Sequence, residues 1–243
     1  MIHSEVIFPK LVIVIPAMNE EESIGHVLDE ISKVLYGNNY SVVVVDGKST
    51  DATADIATKK GAIVIGQKDI GYGDALLSGF IYALEELDPS IIAMMDADMT
   101  YDAKDIPVLM VPILKDDIDL AIGNRFGGME KGAMTTTNMI GNKILSWIAR
   151  VLLNLKVYDT QCGLRVFKAN IVNKLTLTKK GMPFATEMLA KAKFAGLKIH
   201  EEPITYRPRI GEPKLVPIKD GIKILYTILD LMFKRITFSL NND

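Results

Sequence analysis

Short apolar runs alternate with longer stretches of helical spacing through the first half of the chain. Leu11–Ile15 is one such run, ended by Pro16; Ser41–Val45, Ala62–Ile65, Ile91–Met95 and Ile118–Ile122 are the others. They show little polar alternation, which predicts strands whose two faces are both covered. Between them, Glu20 to Leu35 places Ile24, Val27, Leu28, Ile31 and Leu35 on one helical stripe. Asp51 to Lys60 and Gly73 to Leu87 also read as helices, the first stopped by Gly61 and the second before Pro89. The β-α-β-α-β order predicts an α/β fold with a mostly parallel, doubly wound, Rossmann-like sheet. Ligands of such sheets bind beyond the carboxyl ends of the strands. That rule directs attention to Pro16–Glu20, Asp46–Asp51, Gln67–Asp74 and Asp96–Asp98, each of which follows a strand.

The second half loses this rhythm. Thr137 to Leu155 and Val216 to Phe238 have amphipathic helical spacing, Leu197–Tyr206 reads as a returning strand, and a helix after Pro183 carries Glu187. The change coincides with a change of charge. The net −2 of the 243 residues splits into −12 over residues 1–128 and +10 over residues 129–243. An acidic half suits a cation, and a basic half suits phosphates or an anionic membrane surface. Cys162 is the one cysteine, so no internal disulfide forms. His3, His26 and His200 lack zinc-site spacing. Met1–Lys10 is no secretory signal, and no run reaches the roughly 18–20 uncharged apolar residues that span a bilayer.

Asp96-Ala97-Asp98 is the most informative chemistry: two carboxylates one residue apart at a strand end can share a divalent cation, which in turn grips a diphosphate. Asp46 ends another strand, where a carboxylate can accept hydrogen bonds from a base edge or a ribose. Ser49, Thr50 or Asp51 is expected to cap the next helix, and Asn19 to cap the first, with Glu20–Glu22 at its positive end. Gly71-Tyr72-Gly73 begins like a dinucleotide fingerprint, but Leu76 stands where its third glycine belongs, and no phosphate-binding P-loop run exists.

Taken in order, these segments resemble the family 2 inverting glycosyltransferases. They are Val14-Ile15-Pro16-Ala17-Met18-Asn19-Glu20, Val45-Asp46-Gly47-Lys48-Ser49-Thr50-Asp51 and Asp96-Ala97-Asp98, followed by Gly123-Asn124-Arg125, Asp159-Thr160-Gln161-Cys162-Gly163-Leu164-Arg165 and Arg209-Ile210-Gly211-Glu212-Pro213-Lys214-Leu215. The resemblance runs from about Leu11 to Leu215 and is strongest to the dolichyl- or polyprenyl-phosphate hexose synthases. It implies a GT-A fold over residues 1–214, with a nucleotide-sugar-binding half (1–128) and an acceptor half (129–214), and an amphipathic, membrane-associating tail over 215–243. Pro16, Ala17, Asn19, Glu20 and Asp46 would hold the donor nucleoside, with Gln67 nearby. Asp96, Ala97 and Asp98 would meet the diphosphate, Asp96 and Asp98 through Mg²⁺ or Mn²⁺. Arg125 would place phosphate or sugar oxygens, and Arg209 and Lys214, on a mobile loop, would close over the diphosphate and the acceptor phosphate. The sequence departs from many relatives at Gly47, where they have a second Asp, and at Pro213, where they have Ser.

The implied reaction transfers a hexose from GDP-mannose or UDP-glucose to a dolichyl or polyprenyl phosphate. Such an acceptor is already anionic and needs no strong base. A soluble or polysaccharide hydroxyl acceptor is the alternative, and it would need a carboxylate base. Asp159 and Glu187 are the candidates. The partners expected are the nucleotide-sugar donor, the lipid phosphate and a peripheral contact with the cytoplasmic face of a membrane, through the two amphipathic helices; no nucleic acid is expected. A catalytically inactive sugar-nucleotide-binding protein is disfavoured by the intact Asp96/Asp98 pair. A nucleotidyltransferase is disfavoured because Pro16–Glu20 holds neither glycine nor a basic residue.

Overall fold

A computed structural model describes residues 9–115, 117–212 and 217–240, with side chains described as far as Arg235. The chain runs β1 (Leu11–Ala17), α1 (Ile24–Val34), β2 (Tyr40–Asp46), α2 (Thr53–Lys59), β3 (Ile63–Gly66), α3 (Tyr72–Tyr82) and β4 (Ile91–Met94). There follow α4 (Asp105–Leu114), β5 (Leu120–Met129), α5 (Thr136–Leu153), β6 (Arg165–Lys168), α6 (Val172–Leu175), α7 (Phe184–Phe194), β7 (Ile199–Tyr206) and α8 (Pro217–Leu240). The described strands form one seven-stranded sheet in the order β3-β2-β1-β4-β6-β5-β7. β1 pairs in parallel with β2 and β4, β2 with β3, and β5 with β7.

Most of the apolar runs read as buried strands are buried: Val12, Ile13, Val14 and Ile15 on β1 and Val43, Val44 and Val45 on β2 are closed to solvent, whereas β3, at the edge of the sheet, is only half-buried. Helix α3 lies so close on this layer that a Cβ at Gly79 would sit 2.3 Å from Val14 Cγ1. The mostly parallel sheet expected from the pattern is therefore present, with one reversed strand. β6 is antiparallel between β4 and β5. It sets Arg165 opposite Met94 and Ile122, so the turn that precedes β6 lies against the segment that follows β4. Residues from both halves of the chain thus converge on one edge of the sheet.

Several boundaries differ from the sequence pattern. α1 begins at Ile24, one turn later than Glu20, because Glu20–Ser23 forms its own turn with Ser23 N and Ile24 N donating to Glu20 O. α4 is absent from the pattern reading: Pro107 and Pro112 both lie within it. The first stands in the initial turn, where its missing N–H costs nothing, and Ile106, Leu109, Met110 and Ile113 still present one buried stripe.

The two amphipathic stretches are helices, α5 and α8, and they pack on each other; α8 also packs on α7. α5 buries Ser146, Ala149 and Leu153, and α8 buries Ile224, Thr227, Ile228 and Leu231. Packing between helices accounts for those faces. A second apolar face remains exposed on each: Ile140, Ile144, Trp147 and Val151 on α5, and Ile218, Ile222, Tyr226 and Phe233 on α8. No helix among the described residues is long and apolar enough to cross a membrane.

Candidate active site

The loops after β1 and β2 are laced together. Asn19 does not cap α1. Ser23 holds that position, and Asn19 sits at φ 51 with its Oδ1 accepting from Thr50 N at 2.8 Å while its own N–H donates to Ser49 Oγ at 2.9 Å. Glu21 Oε2 accepts from Ala52 N, and Asp51 Oδ2 accepts from Glu21 N. Ser49 and Thr50 therefore tie two loops instead of capping α2, whose first N–H, from Thr53, is taken by Asp51 Oδ1 at 3.0 Å. Glu20 is buried; its N–H donates to Thr53 Oγ1 and its carboxylate accepts from Ser23 Oγ. Ala17 O accepts from Gly47 N, which holds Pro16 and Ala17 beside Asp46 at the sheet edge.

Asp46 accepts from Ser49 N at 3.2 Å. Gln67 stands next to it: its N–H donates to Asp46 O at 2.9 Å and its Nε2 to Gly71 O at 2.7 Å. A Cβ at Gly47 would lie 3.1 Å from Gln67 Oε1 and 3.2 Å from Met18 Cβ, so glycine leaves the Gln67 side chain its place.

The segment after β4 brings the two carboxylates to this edge. Asp96 Oδ1 accepts from the Tyr72 hydroxyl at 2.9 Å. The Gly163 backbone lies so close to Asp96 that a Cβ there would be 2.8 Å from Oδ2, and the Tyr101 hydroxyl accepts from Gly163 N at 2.6 Å. Loss of water, and then the neighbouring Asp98 carboxylate, push the Asp96 carboxyl up to about 7. Burial, and then Asp96 itself, hold the Tyr72 phenol well above its ordinary value, so it remains a donor. Asp98 Oδ1 accepts from Thr100 N and Thr100 Oγ1, and Asp98 Oδ2 lies 3.1 Å from Arg209 Nη2. Asn19, Lys48 and Met99 all adopt positive φ without being glycine, one in each of the loops after β1, β2 and β4. Such turns cost roughly 1–3 kcal/mol each and persist where surrounding bonds over-determine them, as at ligand sites.

None of Tyr72, Tyr101 or Gly163 was singled out as a site residue from the sequence. The signal for Tyr72 was the Gly71-Tyr72-Gly73 run, read there against a nucleotide fingerprint. Its glycines serve close packing: Cβ atoms at 71 and 73 would lie 2.5 Å and 2.3 Å from the Lys180 and Lys179 carbonyl oxygens.

Arg125 and Asp159 form a buried two-pronged pair, Nε to Oδ2 at 2.7 Å and Nη2 to Oδ1 at 2.8 Å, with Arg125 N also donating to Oδ2. Loss of water works against the Arg125 charge, and Asp159 more than offsets it, raising the guanidinium well above its ordinary value. Arg125 also lies over the Tyr206 ring, 5.3 Å from its centre. Asp159 is itself held by Glu201, which accepts from its N–H at 2.7 Å. Both Asp159 oxygens are thus committed to Arg125, and the side chain is closed to solvent. Arg165 is also fully buried, its guanidinium spread over the Cys162, Ala185 and Thr160 carbonyl oxygens, which locks the 159–165 turn to α7. Burial pushes the Cys162 thiol up to about 12, so it supplies no thiolate.

Glu187, the other candidate base, sits in a net of its own. It accepts from Thr178 N, Thr178 Oγ1 and Lys179 N and pairs with Lys191 at 2.8 Å. Burial raises its carboxyl, but the Lys191 ammonium and those N–H and O–H donors outweigh it, leaving the carboxyl below its usual range. A depressed folded value means stabilisation present above the unfolded value and lost as pH falls through the folded one. Glu187→Gln is therefore expected to lower unfolding stability at neutral pH by about 1.5–3 kcal/mol. The gap from wild type should close below about pH 4. Urea melts of both proteins across that range measure it, and a gap independent of pH would contradict the assignment.

Lys214 lies outside the described residues. Its partner in the sequence reading, Arg209, reaches both Asp98 and Glu20, the latter at 3.5 Å. Among the described residues no group of three or more His, Cys, Asp or Glu side chains stands ready to enclose a metal ion. Asp96 and Asp98 instead offer a pair of carboxylates, of which Asp98 already holds one cation, the Arg209 guanidinium. That donor set fits a hard divalent ion such as Mg²⁺ or Mn²⁺, which keeps open positions for water and phosphate oxygens.

A mostly parallel sheet with acidic loops at its carboxyl edge and an Asp-Ala-Asp turn after the fourth strand is the plan of a GT-A glycosyltransferase. The family described as Glycosyl transferase family 2 matches residues 12–176, and the chain belongs to it. It is 34% identical over 223 residues to a dolichyl-phosphate hexose transferase of Haloferax volcanii, spanning 91% of this chain and 93% of that protein. It is 38% identical over 218 residues to the low-salt glycan biosynthesis hexosyltransferase Agl6 of the same organism; the match takes in 88% of this chain but about half, 52%, of that protein. Among solved structures, glucosyl-3-phosphoglycerate synthase of Mycobacterium tuberculosis with Mn²⁺, UDP-glucose and phosphoglyceric acid superposes with a TM-score of 0.73 at 21% identity, covering 92% of this chain and 80% of that one. That likeness establishes the shared fold.

Proposed function

We propose that this glycosyltransferase moves a hexose, with inversion, from a nucleotide-diphosphate sugar (GDP-mannose or UDP-glucose) to a dolichyl or polyprenyl phosphate. One observation carries the choice of acceptor. Both carboxylates offered as bases, Asp159 and Glu187, are tied up in structural ion pairs. A hydroxyl acceptor needs a base to take its proton, whereas a phosphate acceptor arrives ionised. The dolichyl-phosphate hexose transferase of Haloferax volcanii and the dodecaprenyl-phosphate galacturonate synthase of Rhizobium johnstonii, 27% identical, support the same choice.

In this reading Pro16, Ala17, Asn19, Glu20, Asp46 and Gln67 hold the nucleoside, and Ala97 floors the diphosphate site. Asp96 and Asp98 would hold Mg²⁺ or Mn²⁺, which when bound neutralises charge on the departing nucleoside diphosphate. Arg209, with Lys214, supplies further positive charge there. Arg125, oriented by Asp159, meets the acceptor phosphate or sugar oxygens. The exposed apolar faces of α5 and α8, helices that also carry the exposed Lys143, Lys219 and Lys223, rest on the cytoplasmic surface of an anionic membrane, where the lipid is found.

A donor screen tests this. Purified protein with Mn²⁺ or Mg²⁺ and a polyprenyl phosphate in detergent is offered labelled UDP-glucose, UDP-N-acetylglucosamine and GDP-mannose in turn. Label from one donor should enter the organic phase and vanish with Asp98→Ala. Metal-dependent donor hydrolysis without any lipid product would move the acceptor to a hydroxyl compound.

A further inference from the structure

The segment following β7 is fastened to the segment following β4 by its backbone. Arg207 N donates to Thr100 O at 2.8 Å, Ile210 N donates to Asp98 O at 3.0 Å, and Tyr206 bridges Tyr101. The root of the segment is clamped by the Arg207 guanidinium, which pairs with Glu30 on α1 at 2.9 Å and with Asp102. Between these fixed points the Arg209 side chain turns onto the carboxylates. Its Nη2 lies 3.1 Å from Asp98 Oδ2 and 3.5 Å from Glu20 Oε1. Asp98 Oδ1 is meanwhile taken by Thr100. Both oxygens of Asp98 are thus engaged, one of them by a full positive charge.

The grip is incomplete on the arginine's side. Arg209 Nε is buried and has no hydrogen-bond partner among the described residues. A buried donor left unpaired is costly, and it favours any arrangement that supplies an acceptor. A diphosphate supplies several, in the two-pronged geometry a guanidinium prefers.

We propose that Arg209 is the resident counter-ion of the donor site, and that a divalent cation ligates Asp98 only after the guanidinium has been drawn off by the diphosphate. The inference rests on the reading of Asp98 as a metal ligand. Two cations on one carboxylate repel each other, so metal and Arg209 compete while the site lacks a nucleotide. Once the diphosphate is present its negative charge serves both, and competition becomes cooperation. Metal and nucleotide then enter as a pair, and the change is a swing of one side chain on a fixed stem, with the backbone at Arg207 and Ile210 keeping its bonds.

Mn²⁺ titrations of the full chain, read from the free-ion signal in electron paramagnetic resonance, test this with UDP and GDP as probes. Without nucleotide, Arg209→Gln should bind Mn²⁺ about 5- to 50-fold more tightly than wild type. With nucleotide it should bind Mn²⁺ less tightly than wild type. That reversal of sign is what a merely structural arginine would not produce. Arg209→Lys, which keeps the charge on a shorter and single-pronged head, should fall between, and it carries the test should the glutamine variant fail to fold. The proposal is overturned if wild type binds Mn²⁺ with nucleotide while the substitutions leave nucleotide-free binding unchanged or weaker. Should wild type bind no Mn²⁺ even with UDP or GDP, the metal reading of Asp98 falls and takes the proposal with it.

Discussion

Asp98→Asn is expected to cut metal-dependent transfer by about 10²–10³-fold, the range seen when one preorganised charge-stabilising group is removed from an active site. The substitution is nearly isosteric. The asparagine carbonyl still accepts from Thr100 N, so the turn after β4 keeps its shape. What disappears is the charge that meets Arg209 and that, in the proposed reading, would meet the cation. Because Arg209 is partly exposed and keeps Glu20 as a partner, the loss to folding should stay at about 1 kcal/mol. Initial rates over a Mn²⁺ series, with a thermal melt of the same preparation, separate the two effects. Near wild-type turnover at saturating Mn²⁺ would remove Asp98 from the catalytic machinery.

The second large effect is on stability. Asp159→Ala leaves the Arg125 guanidinium buried beside Tyr206 without its counter-charge, and breaking such a pair from one side costs about 3–5 kcal/mol. Against a total of roughly 5–15 kcal/mol for a folded domain, that loss brings the chain close to unfolding at ordinary temperatures. The double substitution Asp159→Ala with Arg125→Met removes both charges and should recover much of the loss, because a buried pair replaced as a unit is often neutral. Transfer activity should not return with it, since the guanidinium itself is gone. Urea melts of the two single variants and the double variant give the coupling directly. Independent, additive losses would mean that the pair contributes nothing as a pair.

The elements that were legible in the sequence are those whose burial is written in their own residues. β1 and β4 are apolar from end to end and β2 through Val42–Val45, and a strand closed on both faces has no other way to look. β6 escaped because Arg165 and Lys168 frame only two apolar residues, and nothing local reveals that three distant carbonyl oxygens will satisfy a buried guanidinium. The Asp96/Asp98 pair was legible from its place at a strand end. Its collar of Tyr72, Tyr101 and Gly163 was not, because those contacts depend on the antiparallel register of β4 with β6 and on two glycines that let α3 approach Lys179 and Lys180. Asn19 and Thr50 misled for a related reason. Residues with capping chemistry at a helix entry usually bond their own helix, and here they bond each other across the gap between two loops.

The ion pair between Arg207 and Glu30 joins positions 177 residues apart. Closing so long a loop gives back little until both ends are in place, and folds dominated by distant contacts form slowly. During synthesis the loops after β1, β2 and β4 emerge well before the strand that brings Arg207 and Arg209 to them. For most of that time the nascent chain carries an acidic edge without the guanidinium groups of Arg207 and Arg209 to balance it. The competent site is therefore born late and in one step, when the last sheet strand docks against β5 and Arg207 meets Glu30.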